Sequence, residues 1–161
     1  MFNVKMALFV MAAIAFTSAH ASTEDNPGAA VMLQGKGAQI YACTKAGDAY
    51  AWKLKAPDAA LYDAAGNKVG KHFAGPTWQS NDGSQVVAEA VSASPSPEAH
   101  AVAWLVLHAK DHVGSGSMAA VDYIVRANTA GGVAPKDGCD EAHANAEIRV
   151  PYTAAYLFFR H

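Results

Sequence analysis

Charge is scarce and balanced in this chain. Of 161 residues 16% are charged, and 12 Lys and Arg against 14 Asp and Glu leave a formal net charge of −2. With a pI near 6.4, the chain offers no basic surface for nucleic acid or anionic membrane. Gly35-x-Gly37 and Gly114-x-Gly116 lack the third glycine and following helix of a dinucleotide site, and no Gly-Lys-Ser/Thr loop exists, so phosphate-cofactor chemistry is unsupported. The Gly-x-Ser-x-Gly elbow of α/β hydrolases is absent. No segment repeats at a constant period. No apolar run reaches the ~20 residues that a membrane-spanning helix needs.

Apolar side chains are plentiful. At 52% hydrophobic residues the chain is too apolar for intrinsic disorder. Its length fits one domain, and a domain of about 140 residues buries roughly two thirds of its unfolded surface, enough for a core.

The N-terminus carries Lys5, an apolar run from Met6 to Ala15, and Ala19-His20-Ala21. A positive start, a short apolar core and small residues at −3 and −1 spell a secretory signal peptide cleaved after Ala21. No lipobox-like Leu-x-Gly-Cys is present. The expected organisation is a signal peptide at 1–21, a flexible mature N-terminus at 22–30 and a single β domain at 31–161. The protein is then secreted or periplasmic, with no transmembrane segment in the mature chain. Export gives meaning to Cys43 and Cys139, the chain's two cysteines. An even number in an oxidising compartment predicts a disulfide between them. The alternatives are two buried thiols or a metal pair, for which no Cys-x-x-Cys spacing exists.

Period-two alternation dominates the mature chain. In Ala49–Lys55 the large residues Tyr50, Trp52 and Leu54 share one face. Ile40–Thr44, Lys68–Phe73, Gln85–Val91, Met118–Arg126 and Tyr152–Arg160 are further strand candidates. In the Met118–Arg126 segment Val121, Tyr123 and Val125 alternate against Asp122, Ile124 and Arg126. Ala101–His108 is nearly all apolar, as expected of a strand covered on both sides. Gly35-Lys-Gly37, Ala64–Asn67, Asn81-Asp82-Gly83 and Gly131-Gly132 punctuate these runs as turns. Helical periodicity is confined to Asp140–Glu147, one or two turns. The fold class is all-β: an antiparallel barrel or sandwich of about eight or more short strands with little helix.

Gly70-Lys-His-Phe-Ala-Gly-Pro-Thr-Trp-Gln79, followed by Asp82-Gly83-Ser84, resembles the secreted domain-of-unknown-function family 3455 of bacteria and fungi. Gln39-Ile-Tyr-Ala-Cys43, Trp52-Lys-Leu-Lys-Ala-Pro57, Ala103-Trp-Leu-Val-Leu107, Asn128-Thr-Ala-Gly-Gly132 and Arg149-Val-Pro-Tyr-Thr-Ala154 extend the likeness from about residue 35 to the C-terminus. The resemblance implies a free-standing exported domain and supplies no catalytic residues.

Two constellations carry candidate chemistry. His72, Trp78, Asp82 and Ser84 gather an imidazole, an indole and a carboxylate around a Gly75-Pro76 bend. If the hairpin folds back, they form an apolar wall with polar handles, as small-ligand pockets have. The alternative is structural: Asp82-Gly83 makes a turn, Trp78 fills the core and His72 bonds a loop. Ser84, His72 and Asp82 also supply the residue types of a hydrolytic triad, which geometry alone establishes. The second constellation is His108, Asp111 and His112, candidate zinc or copper ligands together with His72. Trp52 and Trp104 read as core, while Trp78 reads as a loop residue. The leading reading is a non-enzymatic exported β domain that binds a small molecule or an extracellular partner. Its rivals are a zinc or copper protein or metal-dependent enzyme using His72 with Asp82 or His108, and a structural envelope component.

Overall fold

A computed structural model describes residues 30–160. The signal-peptide and cleavage-site expectations lie outside the described residues. Eight strands follow one another: β1 (Val31–Ala46), β2 (Ala49–Tyr62), β3 (Lys68–Phe73), β4 (Thr77–Ser80), β5 (Gln85–Ser94), β6 (Trp104–Val113), β7 (Val121–Gly131) and β8 (Glu147–Arg160). Each is antiparallel to its sequence neighbour, and β1 also pairs with β8, so the sheet closes in a ring. Gly35, for example, lies between Leu61 of β2 and Ala154 of β8. Closure removes the two unpaired edges that an open sheet exposes.

Alternation assigns the inner face. On β1 Leu33, Gln39, Tyr41 and Cys43 are buried, and on β8 Tyr152, Ala154, Tyr156 and Phe158 are. With Leu61, Trp78, Val86, Leu107, Val121 and Ile124 they fill the interior. Burying such side chains contributes roughly 1.5–3 kcal/mol each before chain entropy is set against it. Gly70 lets β3 approach β4, because a Cβ there would sit 2.2 Å from the Gln79 carbonyl oxygen.

Several details correct the sequence reading. In β7 the register shifts between Val121 and Tyr123, so Val121 and Ile124 both point inward while Tyr123 is exposed. A bulge inserts one residue and breaks strict alternation. The apolar run of Ala101–His108 begins its strand only at Trp104, where Leu107 is buried and Trp104, Leu105 and Val106 are half-buried. Residues 43–46 of β1 pair with β2 beyond the point where β8 joins, so the hairpin tip overhangs the ring. Tyr50 and Trp52 are therefore half-buried and Leu54 is exposed, none of them core.

One end of the ring carries the start of β1, the end of β8 and the turns β2–β3, β4–β5 and β6–β7. The other carries the disulfide. Cys43 of β1 is bonded to Cys139 in the β7–β8 connection, 96 residues away. That connection contains a single 3-10 turn, Glu141–His143, capped by Asp140, in place of the expected one or two helical turns. Backbone bonds Cys43 N to Ala146 O and Asn145 N to Cys43 O fasten the same loop, and Trp52 Nε1 donates to the Asp137 carbonyl at 3.0 Å. No helix among the described residues is long and apolar enough to cross a membrane.

Candidate functional site

The β3–β4 hairpin brings His72 and Trp78 face to face as register partners. Gly75, at φ +111°, and Pro76 form the turn between them. Trp78 is thus a strand residue, contrary to the loop placement read from the sequence, because four residues between two tight turns suffice to pair with both neighbours. The imidazole stacks on the indole with centroids 4.1 Å apart and planes 12° from parallel, and Tyr156 meets the imidazole edge-on at 5.3 Å. His72 Nδ1 lies 2.9 Å from the Thr77 carbonyl. A carbonyl only accepts, so Nδ1 carries the proton and Nε2 keeps its lone pair. His72 is 3% exposed, and its pKa is pushed from 6.5 down to about 4, first by burial and further by the Arg126 guanidinium, against the opposing pull of the Thr77 bond. The ring is neutral at physiological pH.

This stack forms one wall of a cavity of about 150 Å³ that opens toward the disulfide end, where Leu54 and Pro76 are exposed at its mouth; its remaining lining is Gln39, Pro57, Leu105, Leu107 and Arg126. The lining is apolar apart from Gln39, His72, the Trp78 N–H and Arg126. Gln39 Oε1 and Trp78 Nε1 are fully buried and have no hydrogen-bond partner among the described residues. Arg126 is half-buried on β7 and donates from Nε and Nη2 to the Ala103 carbonyl at 3.0 and 2.8 Å. Behind the stack, the Tyr152 and Tyr156 hydroxyls lie 3.1 Å apart, and burial pushes both phenols above their usual range. A second depression of about 180 Å³, at the opposite end, is rimmed by Val31 and Arg160, the limits of the described strands.

Asp82 and Ser84 do not join this wall. Asp82 Oδ1 accepts from the Ser84 N–H at 2.9 Å and hydroxyl at 2.5 Å, while Oδ2 accepts from the Ser117 N–H at 2.9 Å and hydroxyl at 2.8 Å. The Ser84 hydroxyl in turn accepts from Met118 N–H at 3.1 Å. These bonds, led by the Ser117 N–H and the Ser84 hydroxyl, hold the Asp82 carboxyl well below the usual carboxylate range. Gly116 makes the embrace possible, since a Cβ there would lie 2.7 Å from the carboxylate. The arrangement is a clamp joining the β4–β5 turn to the β6–β7 loop. Its order also departs from a triad, in which the imidazole stands between hydroxyl and carboxylate. Here serine bonds directly to aspartate, and His72 Nδ1 is committed to Thr77.

His108, Asp111 and His112 are all exposed on β6. His108 packs edge-on against Tyr123, while His112 Nε2 lies 2.8 Å from the Val121 carbonyl and its N–H donates to Asp111 Oδ1. His72 is inside the ring, away from all three. No group of three or more His, Cys, Asp or Glu that could hold a metal ion occurs among the described residues.

Sequence reasoning missed Gln39 and Arg126. The signal for Gln39 was present: odd-numbered β1 residues point inward, and Gln39 is a polar residue in that series. Arg126 was hidden by the β7 bulge, which changes the face on which it falls.

No curated protein matches the chain, and no solved structure does. A family model described as a protein of unknown function, DUF3455, matches residues 24–160, and the chain belongs to that family.

Proposed function

We propose that this is an exported domain that holds a compact, largely apolar small molecule inside the ring, against the His72–Trp78 stack. The observation that carries the reading is the pair of buried polar atoms, Gln39 Oε1 and Trp78 Nε1, left without partners in residues that line an otherwise apolar cavity. Buried polar groups are nearly always hydrogen-bonded, and leaving one unmet costs about 1–3 kcal/mol, so a bound molecule that meets them recovers that cost. The size is suitable: a cavity of about 150 Å³ accepts benzene in another protein. Eight strands are also the number at which a β-barrel interior just accommodates one small ligand. Export is supported by the Cys43–Cys139 bond, which fits an oxidising compartment, together with the N-terminal pattern.

The test uses the mature chain from Ser22 and the neutral probes phenol and toluene. Binding to the native state alone raises the melting temperature. The expected result is such a rise, together with a shift of the Trp78 indole N–H resonance and none of Trp52, whose N–H is engaged by Asp137. Unchanged melting and unchanged Trp78 resonance at millimolar probe would overturn the reading.

A further inference from the structure

We propose that the cavity selects molecules bearing a carboxylate, with Arg126 as the anchor of that group. The inference rests on the cavity reading above and deepens it.

Arg126 is the one charged side chain in the lining. The ion pairs seen between described residues are Lys55–Glu147, Lys110–Glu89, His143–Asp140 and Arg149–Asp58, and none of them includes Arg126. All four lie at the surface. A partly buried cation without a counter-charge is costly, and the usual remedy is an anion. The Ala103 carbonyl takes one edge of the guanidinium, and the Tyr156 hydroxyl is a further hydrogen-bonding neighbour. Five N–H donors leave some over, and the planar fork suits the two oxygens of a carboxylate.

The other polar groups at the cavity agree. Trp78 Nε1 is a donor without an acceptor, which an acceptor-only head satisfies. Gln39 presents its oxygen as placed, and a half-turn of the amide exchanges oxygen for nitrogen. The guanidinium disfavours protonation of His72 and pulls the Tyr41, Tyr152 and Tyr156 phenols downward, against the larger upward push of burial on each. Asp58 acts with the opposite sign on Tyr152, and it is already paired with Arg149. Leu54, Pro57, Leu105 and Leu107 supply the apolar surface for the body of the molecule.

The experiment compares an isosteric pair, benzoate and benzamide, with toluene as neutral reference, by titration of the mature protein and of Arg126→Gln. A charge-assisted hydrogen bond predicts at least about tenfold tighter binding of benzoate than of benzamide to the wild type. Arg126→Gln, checked for folding by circular dichroism, is expected to bring that ratio to about one. Should Arg126→Gln not fold, Arg126→Lys is expected to keep a benzoate preference reduced from the wild-type ratio. Equal binding of the pair to the wild type, or a preference for benzamide, would overturn the carboxylate inference while toluene binding left the cavity reading intact. A benzoate preference that survives in folded Arg126→Gln would overturn the role of Arg126. Failure of all three probes would overturn the cavity reading and this inference with it.

Discussion

His72 is enclosed by Trp78 on one face and Tyr156 on its edge, with its Nδ1 proton fixed on the Thr77 carbonyl. Burial makes the imidazolium costly there, so the pKa falls from 6.5 to about 4. Between those two values the unfolded chain takes up a proton that the folded chain refuses. Stability is therefore complete above pH 6.5 and is lost as the pH falls toward 4, by on the order of 3 kcal/mol in total. Urea unfolding of the wild type and of His72→Phe at steps from pH 7 to pH 4 checks this. The wild type should lose stability over the window more steeply than the variant, and parallel curves would contradict the assignment. The sequence pointed to His72 because a titratable group stood inside an apolar Phe-Ala-Gly-Pro context. It gave no sign that the partner is Tyr156, 84 positions later in the numbering, because only ring closure brings β8 near β3.

The β4–β5 turn and the β6–β7 loop are joined by one carboxylate. Asp82-Gly83 was readable as a turn from local chemistry, whereas Ser117 and Met118, the distant partners, lie on a separate loop and left no local trace. The four residues of the first constellation accordingly divide by place. His72 and Trp78 belong to the cavity, and Asp82 and Ser84 belong to the clamp. Ser84 is buried and makes hydrogen bonds on both sides, so Ser84→Ala should destabilise by about 1–3 kcal/mol. Amide exchange at Ser117 and Met118 should accelerate in the same variant. Binding of phenol at the cavity should persist, since the clamp sits at the other end of the ring. Loss of binding with unchanged stability would return Ser84 to the site. Elements were most legible where a strand is short and bracketed by turns, as in β3, and least where a bulge resets the face, as in β7.

The molecule as a whole is decided by the pairing of its first strand with its last. Alternation and turn spacing predict an all-β antiparallel fold and leave barrel and sandwich equal. The choice rests on β1 meeting β8 across more than a hundred residues, a contact that local patterns do not encode. The disulfide was legible from two cysteines and the expectation of export read from the N-terminal pattern, and it ties the long β7–β8 connection to β1 at the cavity's end of the ring. In the chain-entropy view a loop of that length contributes up to about 4–5 kcal/mol. Closure, disulfide and the short β3–β4 hairpin together hold a flat aromatic wall and Arg126 around one space of about 150 Å³. The most direct test is a high-resolution crystal structure of the mature protein grown with benzoate. The account predicts the benzoate ring inside the barrel against His72 and Trp78, with its carboxylate on Arg126. A cavity holding only ordered water, with benzoate absent or bound outside the ring, would contradict it.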